Sequence, residues 1–541
     1  MNKTLRYIAW FLIALALLAF VGYFAIYTHF AYRLFLFPFD YDQGEGYELL
    51  DTLLFSQGEW PYRNSDRYPF YSSNYPPVYH LVIVPLVWIF GPQYWTGRLV
   101  AYLGTLIAAG AISYAVFREK ITQRWWLIAL AGLSFLASNY VYHVGPLLRQ
   151  HLFMVMFEIL AVVLMTSVID REEESGIKNW RGLLGVMTLL LLAGYTKQLA
   201  YATVASVFIF WFLRDVKRSI LWSIPFAAVT GLVFLYINVA TDGQWFINSI
   251  SANLNEFYRE QAIGLYIQWF RLHIVLTIVA GLYAVYQLYF ERLSLYSIWF
   301  VITVANSVTA GTWGAGESYF VTAVAASCII TPLAFGRILD WLEKQEWQWQ
   351  QTYKVSAATL ALIIMPALYL FQADRVFHMP THTPLLKTVA STLGKPTETM
   401  YTPRTGCSAP VDPKPIPYVD DAFVLIGRPP TPEDTAAGIE IANEILKGDT
   451  PAFSEEAGFN FYVGREIVTN PTQLRNLDLA GELDTTDMVS MLNNKEFDTI
   501  ILRAQLYPWS VLEAIGQSYE TTRLIEMNGF VYCIMRPVEE N

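Results

Sequence analysis

Apolar windows of 16 to 24 residues recur along the first 373 residues, near 7–28, 96–117, 125–143, 152–169, 181–196, 198–213, 220–240, 269–290, 295–310, 319–336 and 355–373. Each approaches the length that carries a helix across about 30 Å of hydrocarbon, so the pattern predicts about eleven transmembrane helices. The first run follows Lys3 and Arg6 as a signal peptide would. Its span from Tyr7 to Tyr27 is too long for a signal core and no small-residue cleavage site follows it, so a first membrane helix is expected there.

Residues 29–95 interrupt the pattern. Tyr47, Leu49, Leu50, Leu53, Leu54 and Phe55 fall near helical spacing within Gly46–Gln57, and Gly58 ends the run. An interfacial helix is expected, its apolar face on the bilayer and its acids toward a cleft. Val78–Phe90 is broken by His80 and Pro85 and closed by Gly91-Pro92. It is too short to span and reads as a second interfacial or re-entrant helix. The loop is crowded with acids: Asp40, Asp42, Glu45, Glu48 and Asp51. Of these, Asp40, Glu48 and Asp51 read as solvated.

Charge orients the helices. With a cytoplasmic N-terminus, the inside loops hold Arg118, Lys120 and Arg124; Arg171, Lys178 and Arg181; Arg214, Lys217 and Arg218; Arg292; and Arg337, Lys344 and Lys354. Every second loop is then basic, as short cytoplasmic loops are. Loop 29–95, the turn around Arg149, Lys197, residues 241–268, residues 311–318 and everything after the last helix fall outside.

Composition agrees and adds a boundary. The chain is 54% hydrophobic and 15% charged with mean hydropathy +0.34, which places it in the membrane class. From Asp374 onward there are 13 Lys and Arg against 24 Asp and Glu, so the net charge of −10 resides in the C-terminal third. The expected organisation is a membrane domain over 1–373, a Pro-rich linker over 374–430 and a small extracytoplasmic α/β domain over 431–541. That domain reads as helix 433–446, strands 450–454 and 466–469, helix 486–493, strand 498–502, helix 510–518 and a hairpin over 520–536 turning at Asn528-Gly529. Neither part is basic enough for nucleic acid. Cys328 reads as packing, and Cys407 and Cys533 are compatible with one disulfide or two thiols.

The first 117 residues carry a set of short motifs in order: Asp42-Gln43-Gly44-Glu45-Gly46, Gly58, Pro61-Tyr62, Tyr75-Pro76-Pro77, Phe90-Gly91 and Gly97-Arg98. This set resembles the multi-spanning glycosyltransferases of the GT-C fold, in particular the protein O-mannosyltransferase and lipid A aminoarabinose transferase branch, family 39-like. Lys197-Gln198 and Gly314-Ala315-Gly316-Glu317-Ser318-Tyr319-Phe320 look like outer-end motifs of bacterial relatives. The family's adjacent Asp-Glu pair is spread here as Asp42 and Glu45.

The resemblance implies a hexosyl or pentosyl transferase of the plasma (inner) membrane. Its donor would be a polyprenyl-phosphate sugar and its acceptor a hydroxyl of protein, lipid or polysaccharide. An acceptor hydroxyl needs a positioned carboxylate to take its proton, and direct attack inverts the anomeric centre; Asp42 or Glu45 is the expected base. The leaving phosphate needs cations, for which Lys197, Arg149, Arg98 and Arg271 stand at predicted outer helix ends. Lys197 is the most telling, because a charge within a helix pair costs about 2.5–3.5 kcal/mol on insertion scales. Tyr62, Tyr75, Gln198, Glu317 and Tyr319 are expected to contact substrate. Trp313 reads as an interface aromatic, and His151 and His273 as structural. No cofactor and no essential metal are expected, with a divalent ion left open. The alternatives are a glycolipid transporter or flippase and an inactive glycan-binding relative.

Overall fold

The computed structural model describes residues 3–119, 124–291, 294–345, 348–350, 355–376, 383–395 and 429–539. It begins with α1 (Lys3–Phe35), whose 33 residues reach about 50 Å at 1.5 Å per residue. Ala16, Phe20, Tyr23, Tyr27, Phe30 and Leu34, spaced alternately by four and three, are its buried stripe. Its last turn rises beyond the bundle, where Arg33 donates to the Pro430 carbonyl at 2.9 Å.

The first loop holds α2 (Glu45–Ser56) and α3 (Val78–Phe90), both close to the helices its pattern predicts. Then follow α4 (Tyr94–Arg118), α5 (Trp125–Leu136), α6 (Asn139–Val144), α7 (His151–Ser175), α8 (Trp180–Gly194), α9 (Tyr201–Arg214), α10 (Val216–Ala240), α11 (Gln244–Ser249), α12 (Arg259–Leu272), α13 (Ile274–Phe290), α14 (Leu295–Asn306) and α15 (Val321–Lys344). An antiparallel pair, β1 (Gln348–Gln350) with β2 (Val355–Ser356), leads into α16 (Ala357–Arg375), which packs on α1.

All eleven apolar windows are helical, but not alike. Among the described residues six helices are long and apolar enough to cross a membrane: α1, α4, α7, α10, the helix that runs through α15, and α16. The windows at 125–143, 181–196, 198–213 and 295–310 hold shorter apolar helices. Twelve residues, as in α5 and α14, rise only about 18 Å. Their stopping short has a use, because the segments that complete them, residues 145–150, 195–199 and 307–319, bring polar groups into one cavity at that end of the bundle. The 269–290 window is not the straight span expected. It breaks at His273, where α12 and α13 meet at 95°. The Gln372 side chain stabilises the break, donating to the Leu272 carbonyl at 2.6 Å and accepting from the Val275 amide at 3.2 Å.

Part of the stretch read as linker is a helix, α17 (Pro384–Thr392), started by the Thr383 cap with proline in its first turn. Residues 396–428, including Cys407 and hence the question of its pairing with Cys533, lie outside the described residues, as do Lys120, Arg292 and Lys354.

The C-terminal domain comprises α18 (Pro432–Ile445), β3 (Phe453–Ser454), α19 (Gly458–Tyr462), α20 (Pro471–Leu479), α21 (Thr486–Asn493), β4 (Ile500–Leu502), α22 (Trp509–Ser518), β5 (Tyr519–Met527) and β6 (Phe530–Pro537). Its sheet has the order β3-β4-β6-β5, with β3 parallel to β4 and the remaining pairs antiparallel. Asn528 and Gly529 both adopt positive φ, 54° and 79°, as the predicted two-residue hairpin turn requires. The strand expected at 466–469 does not form. Thr469 instead makes a lone parallel bridge to Phe70 of the first loop, and Phe70 is fully buried in the C-terminal domain's core with Phe453, Leu474 and Ile515. Phe39 packs in the same manner against Phe459 and Tyr462. The soluble domain is thus fastened onto the acidic loop.

Candidate active site

The acids of the first loop divide into three environments. Asp40 is a structural hub. Its buried carboxylate accepts from the Gly46 amide at 2.6 Å, the Tyr94 hydroxyl at 2.7 Å and the Gly458 amide at 2.9 Å, and so joins loop, bundle and soluble domain. Glu45 is equally enclosed. It forms a two-pronged pair with Arg98, Nε to Oε1 at 2.9 Å and Nη2 to Oε2 at 2.8 Å. It also accepts from the backbone amides of Tyr41 at 2.9 Å and Leu148 at 2.7 Å. Arg98 gives its remaining protons to the carbonyls of Leu34, Phe37 and Phe39 at 2.6–2.7 Å. Both side chains are fully buried. Fully occupied and sealed from solvent, this pair can reach neither an acceptor hydroxyl nor a phosphate. The expected roles of Glu45 as base and Arg98 as phosphate ligand are therefore corrected to one of bracing the loop.

Asp42 is open. Its side chain keeps 36% of its exposure and receives Arg149 Nε at 3.1 Å and Nη2 at 2.7 Å on one oxygen, Oδ2. Burial alone would raise its pKa, but the Arg149 charge, helped by His143, outweighs that and holds the carboxyl below its ordinary range. It is ionised at neutral pH. Gly44 makes this approach possible, since its φ is +103° and a Cβ there would lie 2.9 Å from the Arg149 guanidinium.

Lys197 stands across the same cavity, in extended backbone between α8 and the 198–200 turn. Its ammonium lies 5.2 Å from the centre of the Tyr75 ring and 5.7 Å from that of Tyr319. Among the described residues it forms no ion pair and donates no hydrogen bond. Burial, reinforced by the like charge of Arg149 and opposed by Glu48, lowers its pKa to about 8.

Glu48, Asp51 and His80 form the third group, beneath Arg149. All are buried, contrary to the solvated reading of Asp40, Glu48 and Asp51, because His80 of α3, Arg149 and the Tyr71 and Ser73 hydroxyls of the same loop enclose the Glu48 and Asp51 carboxylates. Asp51 accepts from the Tyr71 hydroxyl at 2.6 Å and from the Ser73 hydroxyl. Thr52 donates its proton to the Glu48 carbonyl at 2.9 Å, so its oxygen, 3.1 Å from His80 Nδ1, accepts from that nitrogen. The lone pair of His80 Nε2 then faces Glu48 Oε2 at 3.3 Å and Asp51 Oδ2 at 3.8 Å. Burial pushes Glu48 up to about 8 and Asp51 up to about 7, and holds His80 down at about 3. A proton on Glu48 satisfies this arrangement. The same three residues could hold a metal ion.

These groups meet in a cavity of about 800 Å³ whose wall includes Asp42, Arg149, Lys197, Tyr75, Gln198, Glu317 and Tyr319. The segments that supply them all end at one end of the bundle. Gln198 donates to the Asn74 carbonyl at 3.3 Å, and Glu317 faces His143 at 3.8 Å. Two other expected site residues stand apart, like Glu45 and Arg98. Arg271 is exposed on the last turn of α12, outside the wall, because the break at His273 directs that turn elsewhere. Tyr62 is buried, its ring 4.6 Å from that of Trp245 and its hydroxyl bonded to the Tyr75 carbonyl at 2.7 Å. It supports Tyr75 from behind. His273 Nε2 lies 2.8 Å from the Ser138 hydroxyl, outside the cavity wall.

No protein-family model matches the chain, and no curated protein matches it by sequence. The crystal structure of ArnT from Cupriavidus metallidurans in the apo state superposes on 95% of this chain and 98% of its own, with a TM-score of 0.54 at 14% identity. ArnT bound to undecaprenyl phosphate gives 0.51 at 14% identity, over 95% and 97%. ArnT is a lipid A aminoarabinose transferase of the GT-C type. The chain has the GT-C fold. Agreement over nearly the full length of both chains means that the GT-C likeness includes the small C-terminal domain as well as the helices.

Within this GT-C frame, some wall residues carried no sequence signal that was read. Glu48, Asp51 and Thr52 at i, i+3 and i+4 share one face of α2, and a lone His80 interrupts the next apolar run; together these could have announced the buried cluster. Asn470-Pro471 is a helix-start signal that would have revealed α20, whose Asn470, Thr472, Gln473 and Asn476 close the cavity from the soluble side. Their approach to the GT-C cavity, from more than 400 residues away in sequence, has no local signature.

Proposed function

We propose that the chain is an integral-membrane, inverting glycosyltransferase. It moves a sugar from a polyprenyl-phosphate carrier to an acceptor hydroxyl, working at the outer face of a plasma membrane with its N-terminus in the cytoplasm. The observation that carries this reading is that Lys197, a cation with no ion-pair partner among the described residues, shares one cavity with Asp42, a carboxylate kept ionised by Arg149. Undecaprenyl phosphate bound to ArnT, which shares the fold, supports a lipid phosphate as the ligand of that cation. The alternation of basic loops supports the orientation.

In the step, Asp42 takes the acceptor's proton as its oxygen attacks the anomeric carbon. The bond from that carbon to the phosphate oxygen breaks, and the polyprenyl phosphate leaves with the electron pair. Lys197 and the outer edge of Arg149 stabilise its growing charge through charge-assisted hydrogen bonds. Glu48 keeps its proton near neutrality and so adds no second negative charge beneath the phosphate.

The pH profile tests the phosphate assignment. Lys197 binds phosphate only when protonated, so the cation is present below about pH 8 and is lost above it. The donor KM is expected to stay flat up to pH 7.5 and then to rise by about tenfold per unit beyond pH 8. Lys197→Arg should push this limb upward by at least one unit, because arginine keeps its charge. An alkaline limb that stays in place in Lys197→Arg would assign it to another group, Glu48 being the nearest.

A further inference from the structure

The cavity has a second wall of different chemistry. Besides the charged groups, α20 and the segment after α11 contribute Asn253, Asn255, Asn470, Thr472, Gln473 and Asn476 to the lining. None of these carries a charge. Asn255 Nδ2 donates to the Trp313 carbonyl at 3.1 Å and approaches Asn476 Oδ1 at 3.4 Å. Gln473 Nε2 is held by Asn248 Oδ1 at 2.9 Å, while its buried Oε1 has no hydrogen-bond partner among the described residues. An unmet buried acceptor is costly, and this one belongs to a cavity-lining side chain. Thr472 donates to Gln43 Oε1 at 3.3 Å, which couples the wall to the residue beside Asp42. Trp313 also lines the cavity, and the Arg475 guanidinium lies over its ring, 5.4 Å from the centre.

Building on the transferase reading above, we infer that this wall is the acceptor subsite and that the acceptor is a neutral carbohydrate chain. Carboxamides donate and accept at once, as sugar hydroxyls do, whereas a phosphorylated lipid acceptor would require cations, and among the described residues of α20 and the segment after α11 none that lines the cavity is charged. Trp313 supplies an apolar platform for a sugar ring, and Gln473 Oε1 accepts a hydrogen bond from a sugar hydroxyl. The link through Thr472 and Gln43 places the bound chain's free hydroxyl toward Asp42.

Full-length protein in detergent, labelled and applied to an array of neutral oligosaccharides, acidic oligosaccharides, lipid A and Ser/Thr peptides, tests this. Polyprenyl phosphate binding is followed in parallel by native mass spectrometry. Neutral oligosaccharides are expected to bind, and Gln473→Ala and the partly exposed Asn255→Ala are each expected to weaken that binding about tenfold, with thermal melting reporting that the variants are folded. Preference for lipid A or peptide, or unchanged glycan binding in both folded variants, would overturn the inference. Absence of glycan binding while polyprenyl phosphate binds would overturn it alone. If polyprenyl phosphate fails to bind as well, the transferase reading falls and the inference falls with it.

Discussion

Asp42→Asn is expected to lower turnover by about 10²–10⁴-fold, the usual contribution of a positioned general base, while leaving binding of the polyprenyl phosphate donor within a few-fold. Asparagine keeps the shape of the side chain and a hydrogen-bond acceptor for Arg149, but it cannot receive the acceptor's proton. The loss should be close to constant from pH 6 to 8, because Arg149 already holds the Asp42 carboxylate below its ordinary pKa and the wild-type base is ionised throughout that range. Steady-state transfer of radiolabelled sugar, with donor binding measured separately, checks this. A variant with near-normal turnover would remove Asp42 from the step.

The second large effect separates the two carboxylates that the sequence left as alternatives. Arg98→Ala is expected to destabilise the folded protein by about 3–5 kcal/mol, as removal of one partner from a buried ion pair does. It leaves the Glu45 carboxylate and the carbonyls of Leu34, Phe37 and Phe39 without their donor in a fully buried space. Glu45→Gln should lower the melting temperature in detergent less severely, since a carboxamide can still accept from Arg98 and from the Leu148 amide. Asp42→Asn should melt close to wild type. If Glu45→Gln instead melted normally and lost turnover alone, the carboxylate would be acting in the reaction and the bracing role would be wrong.

What was legible in the chain was whatever local periodicity or charge encodes. The two helices of the first loop, the Asn528-Gly529 turn and the isolated Lys197 were all readable from neighbours within a few residues, whereas the apolar face of α2, expected on the bilayer, packs through Tyr47 and Leu54 on Ala457 and Ile467. The burial of Glu48 and Asp51 was not, because its causes are His80, Arg149 and the Tyr71 and Ser73 hydroxyls, which close over a face of α2 that reads locally as polar. Glu45 and Asp42 are three residues apart, and nothing local says which one turns inward to Arg98 and which stays open. The break at His273 has no local signature for a similar reason. The group that stabilises it, Gln372, lies about 100 residues further on, within an otherwise apolar run. Tyr62, Arg98 and Arg271 had suitable chemistry, but tertiary packing directs each of them away from the cavity.

Supplying the purified protein with radiolabelled polyprenyl-phosphate sugars and cell-envelope glycans, and following both the label and the carrier by mass spectrometry, probes the proposed reaction at its bond-breaking step. The expected result is label on the glycan with inverted anomeric configuration, together with an equal amount of free polyprenyl monophosphate, both abolished in Asp42→Asn. Donor that crosses the bilayer with its sugar–phosphate bond intact, or product with retained configuration, would contradict an inverting transferase.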